Sequence, residues 1–534
     1  MVSPIRSAKP ASAVIALALV GACTSLESAS DILESESTIE RDAGAESPVS
    51  TPEEDASDVE APAPSDAATT SDKDAGAATI PATDARAPTT DAGSEAPACS
   101  GFDNRLVTRF KAGSPLPTAP TPAAASDAGT PAPDAAASAD PLCAELATRG
   151  TVVYVTGSTA AKPFLNLLGP QLASRGVYMV YTASGSCTGV DAVLNGTAMR
   201  TGAAPLPAAA TFWDGPASTG ASCQLPPDGV TADIGVSDVF AQTCAGFELA
   251  NLDNLRVRDA HGPVQTMNFV VPASSKHTAI SAEAAYFVFG FGATAGVVDE
   301  AGNPTWNDEN LLFRRNASSG TQALLAAAIG LPSPLWKGRE NANSDEVAKG
   351  LLGSAGTEAT ASAALGILSD DYLQIRNLRS QLRVLAFQDA KQTCAVFPDS
   401  TLTARDKRNV RDGAYPLWGP MHLLHRVDAE GKPARTESRS AVTDILGYFA
   451  GTKALPNGVQ LIDVYAESGL IPECAMHVTR SSDGGKISKS APDFPCSCLF
   501  EAKAMGSTSC KACRVQGDCA SGETCALGYC EATP

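Results

Sequence analysis

From residue 151 onward, short apolar runs alternate with segments whose apolar residues recur at helical spacing. Val152-Val153-Tyr154-Val155 is a β-branched and aromatic run of the kind that forms a buried strand. The polar turn Gly157-Ser158-Thr159 follows, and Ala161 to Leu172 then carries apolar positions at helical period. The same unit recurs twice. Tyr178-Met179-Val180-Tyr181 leads into Gly185-Ser186-Cys187-Thr188-Gly189 and a helical Val190–Leu194. Leu311-Leu312-Phe313 leads through Arg315 and Ser319-Gly320-Thr321 into a helix over Gln322–Ile329. Ala363–Leu368 reads as a further core strand. Strands alternating with helices predict an α/β protein with largely parallel sheets.

The amino-terminal quarter has a different pattern. Arg6 and Lys9 precede an apolar stretch, Ala11–Ala22, too short for a permanent membrane span but right for a secretory signal. It ends Val20-Gly21-Ala22-Cys23, which resembles a bacterial lipobox, with Cys23 the residue that would carry the lipid. Thr24, rather than Asp, directs the expected anchor to the outer membrane. Residues 24–148 are rich in Ala, Asp, Pro, Ser and Thr, and Asp-Ala-Gly recurs at 42, 74, 91 and 127. Such a segment cannot bury enough apolar surface to offset its backbone entropy, so it is expected to be a disordered, extended tether. One island, Gly101–Phe110 beside Cys99, breaks the pattern; Cys99 either closes a loop with Cys143 or each pairs with the body.

Charge refines this division. The chain's net charge of −20 is concentrated in the tether, where 23 acids face six Lys and Arg. The body is close to neutral and shows no basic stripe, which excludes a nucleic-acid partner. Of 15 cysteines, 14 remain after Cys23, an even number that in an exported chain points to disulfides rather than to metal. Seven crowd into the last 40 residues, at 496, 498, 510, 513, 519, 525 and 530, so at least one pairs outside that segment or stays free, and Cys474 is a candidate partner.

The chemistry lies in the turns between strand and helix. Three of them place Ser or Thr with Gly at a helix start, where free N–H groups and hydroxyls can receive an anion. One such turn is an ordinary cap; three together with Arg315, whose guanidinium matches an oxyanion, make a candidate site. Asp233, in Thr231-Ala232-Asp233-Ile234-Gly235-Val236-Ser237, is expected to accept the proton of a partly protonated anion. Against an enzyme, no Gly-x-Ser-x-Gly elbow or paired nucleophile and base appears. His422 and His425 stand three apart without a third ligand, so neither metal nor cofactor is expected.

Taken in order, Thr156-Gly157-Ser158-Thr159, Gly185-Ser186-Cys187-Thr188-Gly189, Asp233-Ile234-Gly235-Val236-Ser237, Arg315-Asn316-Ala317-Ser318-Ser319-Gly320-Thr321 and Tyr415-Pro416-Leu417 resemble the motif series of the phosphate-binding proteins that feed ABC-type importers. The resemblance covers about residues 150–480. It implies a two-lobed periplasmic-binding-protein fold with discontinuous lobes: lobe 1 over 149–265 and 415–490, lobe 2 over 266–414, and a Cys-rich segment over 491–534. Val264–Val271 and Arg411–Leu424 would be the hinge crossings. Ser158, Thr159, Ser186, Asp233, Arg315, Ser319, Gly320 and Thr321 would then bind phosphate. The sequence departs from the pattern at Ala160-Ala161-Lys162, where an aromatic is usual. It departs again at Cys187, for which a disulfide to Cys223 or Cys244 is expected. The expected protein is a monomeric, lipid-anchored solute-binding protein, with an ABC permease as its partner if it serves import. The alternative is a surface interaction or sensing lipoprotein that reuses the scaffold without transport.

Overall fold

The computed structural model describes Arg109–Phe110 and residues 140–532, apart from 203–205, 216–218, 249 and 300. The signal, Cys23, Cys99 and most of the tether lie outside the described residues. Within the sequence island, Arg109–Phe110 forms a short antiparallel pair with Val297–Val298.

Eleven strands form one large mixed sheet: β1 (Thr151–Gly157), β2 (Val177–Ala183), β3 (Ala210–Phe212), β4 (Ala221–Cys223), β5 (Ile234–Ser237), β6 (Val257–Pro272), β7 (Leu312–Arg315), β8 (Arg339–Asn341), β9 (Leu365–Ser369), β10 (Leu382–Val384) and β11 (Trp418–Arg426). Its order is β8-β7-β9-β6-β11-β5-β1-β2-β3-β4, with β10 also on β6. β1 is parallel to both β2 and β5, and β7 is parallel to both β8 and β9. These are parallel units of the kind the strand–turn–helix pattern predicts, but six of the ten pairings in this sheet are antiparallel, so it is mixed and not largely parallel. β6 joins them. Over Val257–Thr266 it pairs antiparallel with β11, and over Met267–Val270 with β9. One strand of 16 residues thus belongs to both lobes of the fold.

The helices begin where the turns predict. α1 (Lys162–Ala173) follows the Gly157-Ser158-Thr159 turn and buries Phe164, Leu165, Leu168 and Leu172 on one stripe. Its Gly169 faces the ring of Trp213, so close that a Cβ would stand 2.4 Å from the indole. α2 (Ser186–Leu194) starts four residues earlier than the apolar periodicity indicates, because Ser186-Cys187-Thr188-Gly189 forms its first turn. α3 (Ala282–Phe291) is apolar but only 10 residues long, and no described helix is long and apolar enough to cross a membrane. In lobe 2, α4 (Gly320–Ile329) covers β7 and β9, and α5 (Ser344–Gly353), α6 (Glu358–Ala363) and α7 (Asp370–Ile375) follow.

Six disulfides lie wholly among the described residues. Cys143–Cys223 ties the entry of the body to β4, and Cys187–Cys244 ties α2 to the segment after β5, choosing between the two partners expected for Cys187. Cys474–Cys496 supplies the outside partner that the odd count of seven requires, and Cys498–Cys510, Cys513–Cys525 and Cys519–Cys530 staple the rest. The Cys-rich segment is not free-standing. Its helix, Ser497–Met505, buries Phe500 in the main core, and Arg411 lies over that ring while bonding Ser497 and Glu501.

His277 offers a test of the lobe 2 core. It is buried beside Trp306, its Nε2 is 2.8 Å from the Thr305 hydroxyl, and burial pushes its pKa down to about 4. The unfolded chain then binds the extra proton more readily, so the stability due to the neutral ring is present above about pH 6.5 and is lost as pH falls toward 4. Urea midpoints at pH 7 and pH 4.5 should therefore differ less in His277→Asn than in the wild type.

Candidate functional site

The carboxyl ends of β1, β5 and β7 meet the amino ends of α2 and α4. This is the edge of an open α/β sheet at which ligands are generally received. Ser158 follows β1. It is buried, and its hydroxyl accepts from the Ala160 amide at 3.1 Å. Thr159 is half-buried and opens a short 3₁₀ turn ahead of α1. Ser186 is the first residue of α2, fully buried; its hydroxyl donates to Asp238 Oδ2 at 3.1 Å and receives the Asp238 amide at 3.2 Å. Across the gap, Arg315 ends β7, Ser319 is the N-cap of α4, and Thr321 is buried in its first turn. The Ser319 side chain makes no cap hydrogen bond.

Glycine sets how near the two sides come. A Cβ on Gly320 would lie 2.2 Å from Ser186 Oγ and 2.7 Å from Asp238 Oδ2, so only glycine lets α4 reach this far. Gly185, at φ 97°, faces Ser318 in the same way, and the Cys187 amide donates to the Ser318 carbonyl at 3.1 Å. Ser158, Ser186, Ser319, Gly320 and Thr321 thus line one seam, with Arg315 behind it.

Asp233 does not join them. It precedes β5, at the opposite end of the strand, about 16 Å along an extended chain from the residue that follows β5. Its carboxylate is consumed there by Arg435 at 2.5 and 2.7 Å, by the Ser438 hydroxyl at 2.8 Å and by the Tyr154 amide at 2.8 Å. The expected proton acceptor is replaced at the seam by Asp238, one residue beyond β5. The difference is one of direction: Asp238 follows a strand whose carboxyl end faces the helix starts, whereas Asp233 precedes it.

The electrostatics of the seam are unbalanced in one specific way. Asp238 Oδ1 and Arg315 Nε are both buried and have no hydrogen-bond partner. Arg315 spends its other nitrogens on Ser344 Oγ at 2.9 Å and the Ala342 carbonyl at 3.1 Å. Burial pulls its pKa down to about 10, opposed mainly by Asp238. Burial also raises the Asp238 pKa, while the hydroxyls of Ser158 and Ser186, Arg315 and His422 act against the rise. A second acid lies within electrostatic reach. Asp371, in the first turn of α7, is raised to about 7 by burial, with Asp238 adding to the rise. Its neighbour Asp370 is paired with Lys407 and Arg379 and held well below the usual range. Nothing in the sequence around Asp371 links it to Asp238.

Tyr415, from the last motif of the series, is placed elsewhere. Its hydroxyl is buried against the Met267 carbonyl at 2.9 Å and Asn268 Oδ1 at 3.0 Å, on the stretch of β6 that passes between lobes.

No protein-family model matches the chain, and no curated protein matches it. Solved structures do. One, described as a possible phosphate-binding protein from Planctomyces limnophilus, is 13% identical with a TM-score of 0.36, over 60% of this chain and 93% of that one. An ABC-type phosphate transport receptor from Vibrio cholerae is 14% identical with a TM-score of 0.36, over 60% and 99%. A tungstate-binding protein from Desulfovibrio alaskensis is 14% identical with a TM-score of 0.28, over 56% and 90%. Likeness at this distance transfers no ligand, and the mixed α/β class, with two parallel halves joined by β6, rests on the chain's own sheet order.

The two acids can be separated by mutation. Asp233→Ala should cost about 2–3 kcal/mol in urea denaturation, less than a fully buried pair because Arg435 is 34% exposed. Its affinity for any oxyanion should stay within about twofold of wild type, since sites this far apart behave independently.

Proposed function

We propose that the protein captures a partly protonated oxyanion, phosphate in preference to sulfate, between its lobes. The observation that carries this reading is the unpaired couple at the seam: a buried guanidinium N–H and a buried carboxylate oxygen with no partner of their own. Leaving both unmade is costly, at about 1–3 kcal/mol for each neutral-type group and more for charged ones. A ligand that accepts from one and donates to the other removes both costs. Monohydrogen or dihydrogen phosphate has oxygens for Arg315 and a P–OH for Asp238; sulfate has no proton to give. Ser158, Thr159, Ser186, Ser319, Gly320 and Thr321 would complete the shell through hydroxyls and helix-start amides, with Asp238 in the role expected of Asp233. Asp371, once ionised above about pH 7, adds negative potential that weighs further against a fully ionised anion. No nucleophile and base pair is needed, and the reading is of a binding protein, not an enzyme.

In this reading the chain is exported, lipidated at Cys23 and held by residues 24–148 at the periplasmic face or surface of a membrane, the outer membrane favoured. Delivery to an ABC permease is the use that such binding supports; sensing or surface interaction is the alternative use of the same site.

Titration calorimetry on the delipidated full-length protein with phosphate, sulfate and molybdate tests it. Phosphate should bind and sulfate should bind at least about 100-fold more weakly, the penalty for leaving a buried acceptor unpaired. Arg315→Ala should weaken phosphate by a similar factor, whereas Asp238→Asn should narrow the gap between phosphate and sulfate. Silence toward all three anions, or unchanged phosphate affinity in Arg315→Ala, would reject the site.

A further inference from the structure

A second cluster lies on lobe 1, built by strand pairing. Asp259 and His261 are two residues apart on β6 and so share one face of the strand. His422 on β11 is the direct cross-strand partner of His261, and the two rings meet edge to face at 5.0 Å. Asp259 Oδ2 is 2.7 Å from His422 Nδ1 and 3.9 Å from His261 Nε2. One donor atom from each of the three side chains falls within 4.8 Å of the other two.

Two features separate this group from an ordinary histidine–carboxylate pair. First, its polar atoms are not used up: His422 is 1% exposed, yet its Nε2 has no partner, and neither does the buried Asp259 Oδ1. Secondly, the far nitrogen of His261 is already oriented, with Nδ1 3.4 Å from Glu473 Oε1. Metal-binding imidazoles are usually held by a carboxylate at the ring nitrogen that does not bind the ion. The surroundings favour a cation, because the buried Asp238 and Asp483 also lie within electrostatic reach of this cluster. His261 is 39% exposed and leaves the cluster open to solvent.

We propose that Asp259, His261 and His422 bind one divalent transition-metal ion of the zinc class, with Glu473 orienting His261 and water completing the coordination. Two imidazoles and one carboxylate suit a borderline ion. They supply too few oxygens for calcium or magnesium. The sequence hides the site because its nearest histidine pair in the chain, His422 and His425, is not the pair that meets; His425 instead contacts the Leu423 carbonyl. The ion would clamp β6 to β11, within electrostatic reach of Asp238 at the seam.

The test uses full-length protein stripped with a chelator and titrated with zinc chloride by calorimetry, with cobalt(II) as a spectroscopic probe. One equivalent of zinc should bind, and cobalt should give visible d–d bands without thiolate charge transfer. His261→Ala and Asp259→Asn, at partly exposed positions, should each weaken zinc at least about tenfold. His477→Ala, beside Asp412 and outside the cluster, should leave it unchanged. Absence of stoichiometric zinc, or wild-type affinity in His261→Ala, would overturn the assignment.

Discussion

The contact between Gly320 and the Ser186–Asp238 pair governs the rest of the molecule. At this point lobe 2 meets lobe 1 with no side chain between them, and the facing groups are an acid and, behind the seam, a guanidinium. Two opposite charges in a low-dielectric seam attract strongly, but each also loses its water. Here the direct pair is not made through Asp238 Oδ1 and Arg315 Nε, which both stay unpartnered. The seam is therefore polarised without being satisfied. The glycines at 185 and 320, the helix starts behind them and the hydroxyls of Ser158 and Ser186 all follow from the need to bring backbone close to that point.

β6 makes such a seam mechanically usable. It pairs with β11 in one half and with β9 in the next, with one bulge at Pro420–His422 in the first of these ladders. Tyr415 braces the crossing through Met267 and Asn268. A crossing built on one strand permits a small twist and resists separation of the two halves of the sheet.

The strand–turn–helix units were legible in the sequence because their apolar runs are short, dense and bounded by Gly and Ser. Val152–Val155 and Tyr178–Tyr181 lie within strands of the large sheet, Leu312–Phe313 open another with Leu311 in the turn before it, and the helices after them start within a few residues of expectation. What was not legible depends on direction and on pairing. Asp233 and Asp238 both flank β5, and local pattern does not rank them; only the polarity of the strand relative to the helix starts places Asp238 inward and leaves Asp233 to Arg435, some 200 residues away. Asp371 and the Asp259–His261–His422 group are brought near their neighbours by strand order, which no local spacing reveals. The Cys-rich segment stands out in the sequence by its cysteines, yet its helix shares the main core through Phe500, with Ala504 packed beside it.

Under the proposed function, the Cys187–Cys244 disulfide bears on affinity as well as on fold. It joins the first turn of α2, which carries Ser186, to the segment that leaves Asp238. The lobe 1 half of the seam is thereby covalently cross-braced before any ligand arrives. Ordering those loops is then a cost met once, during oxidative folding, instead of at every binding event. In the proposed function, lobe 1 would then act as a fixed template against which the Ser319–Thr321 turn receives the anion.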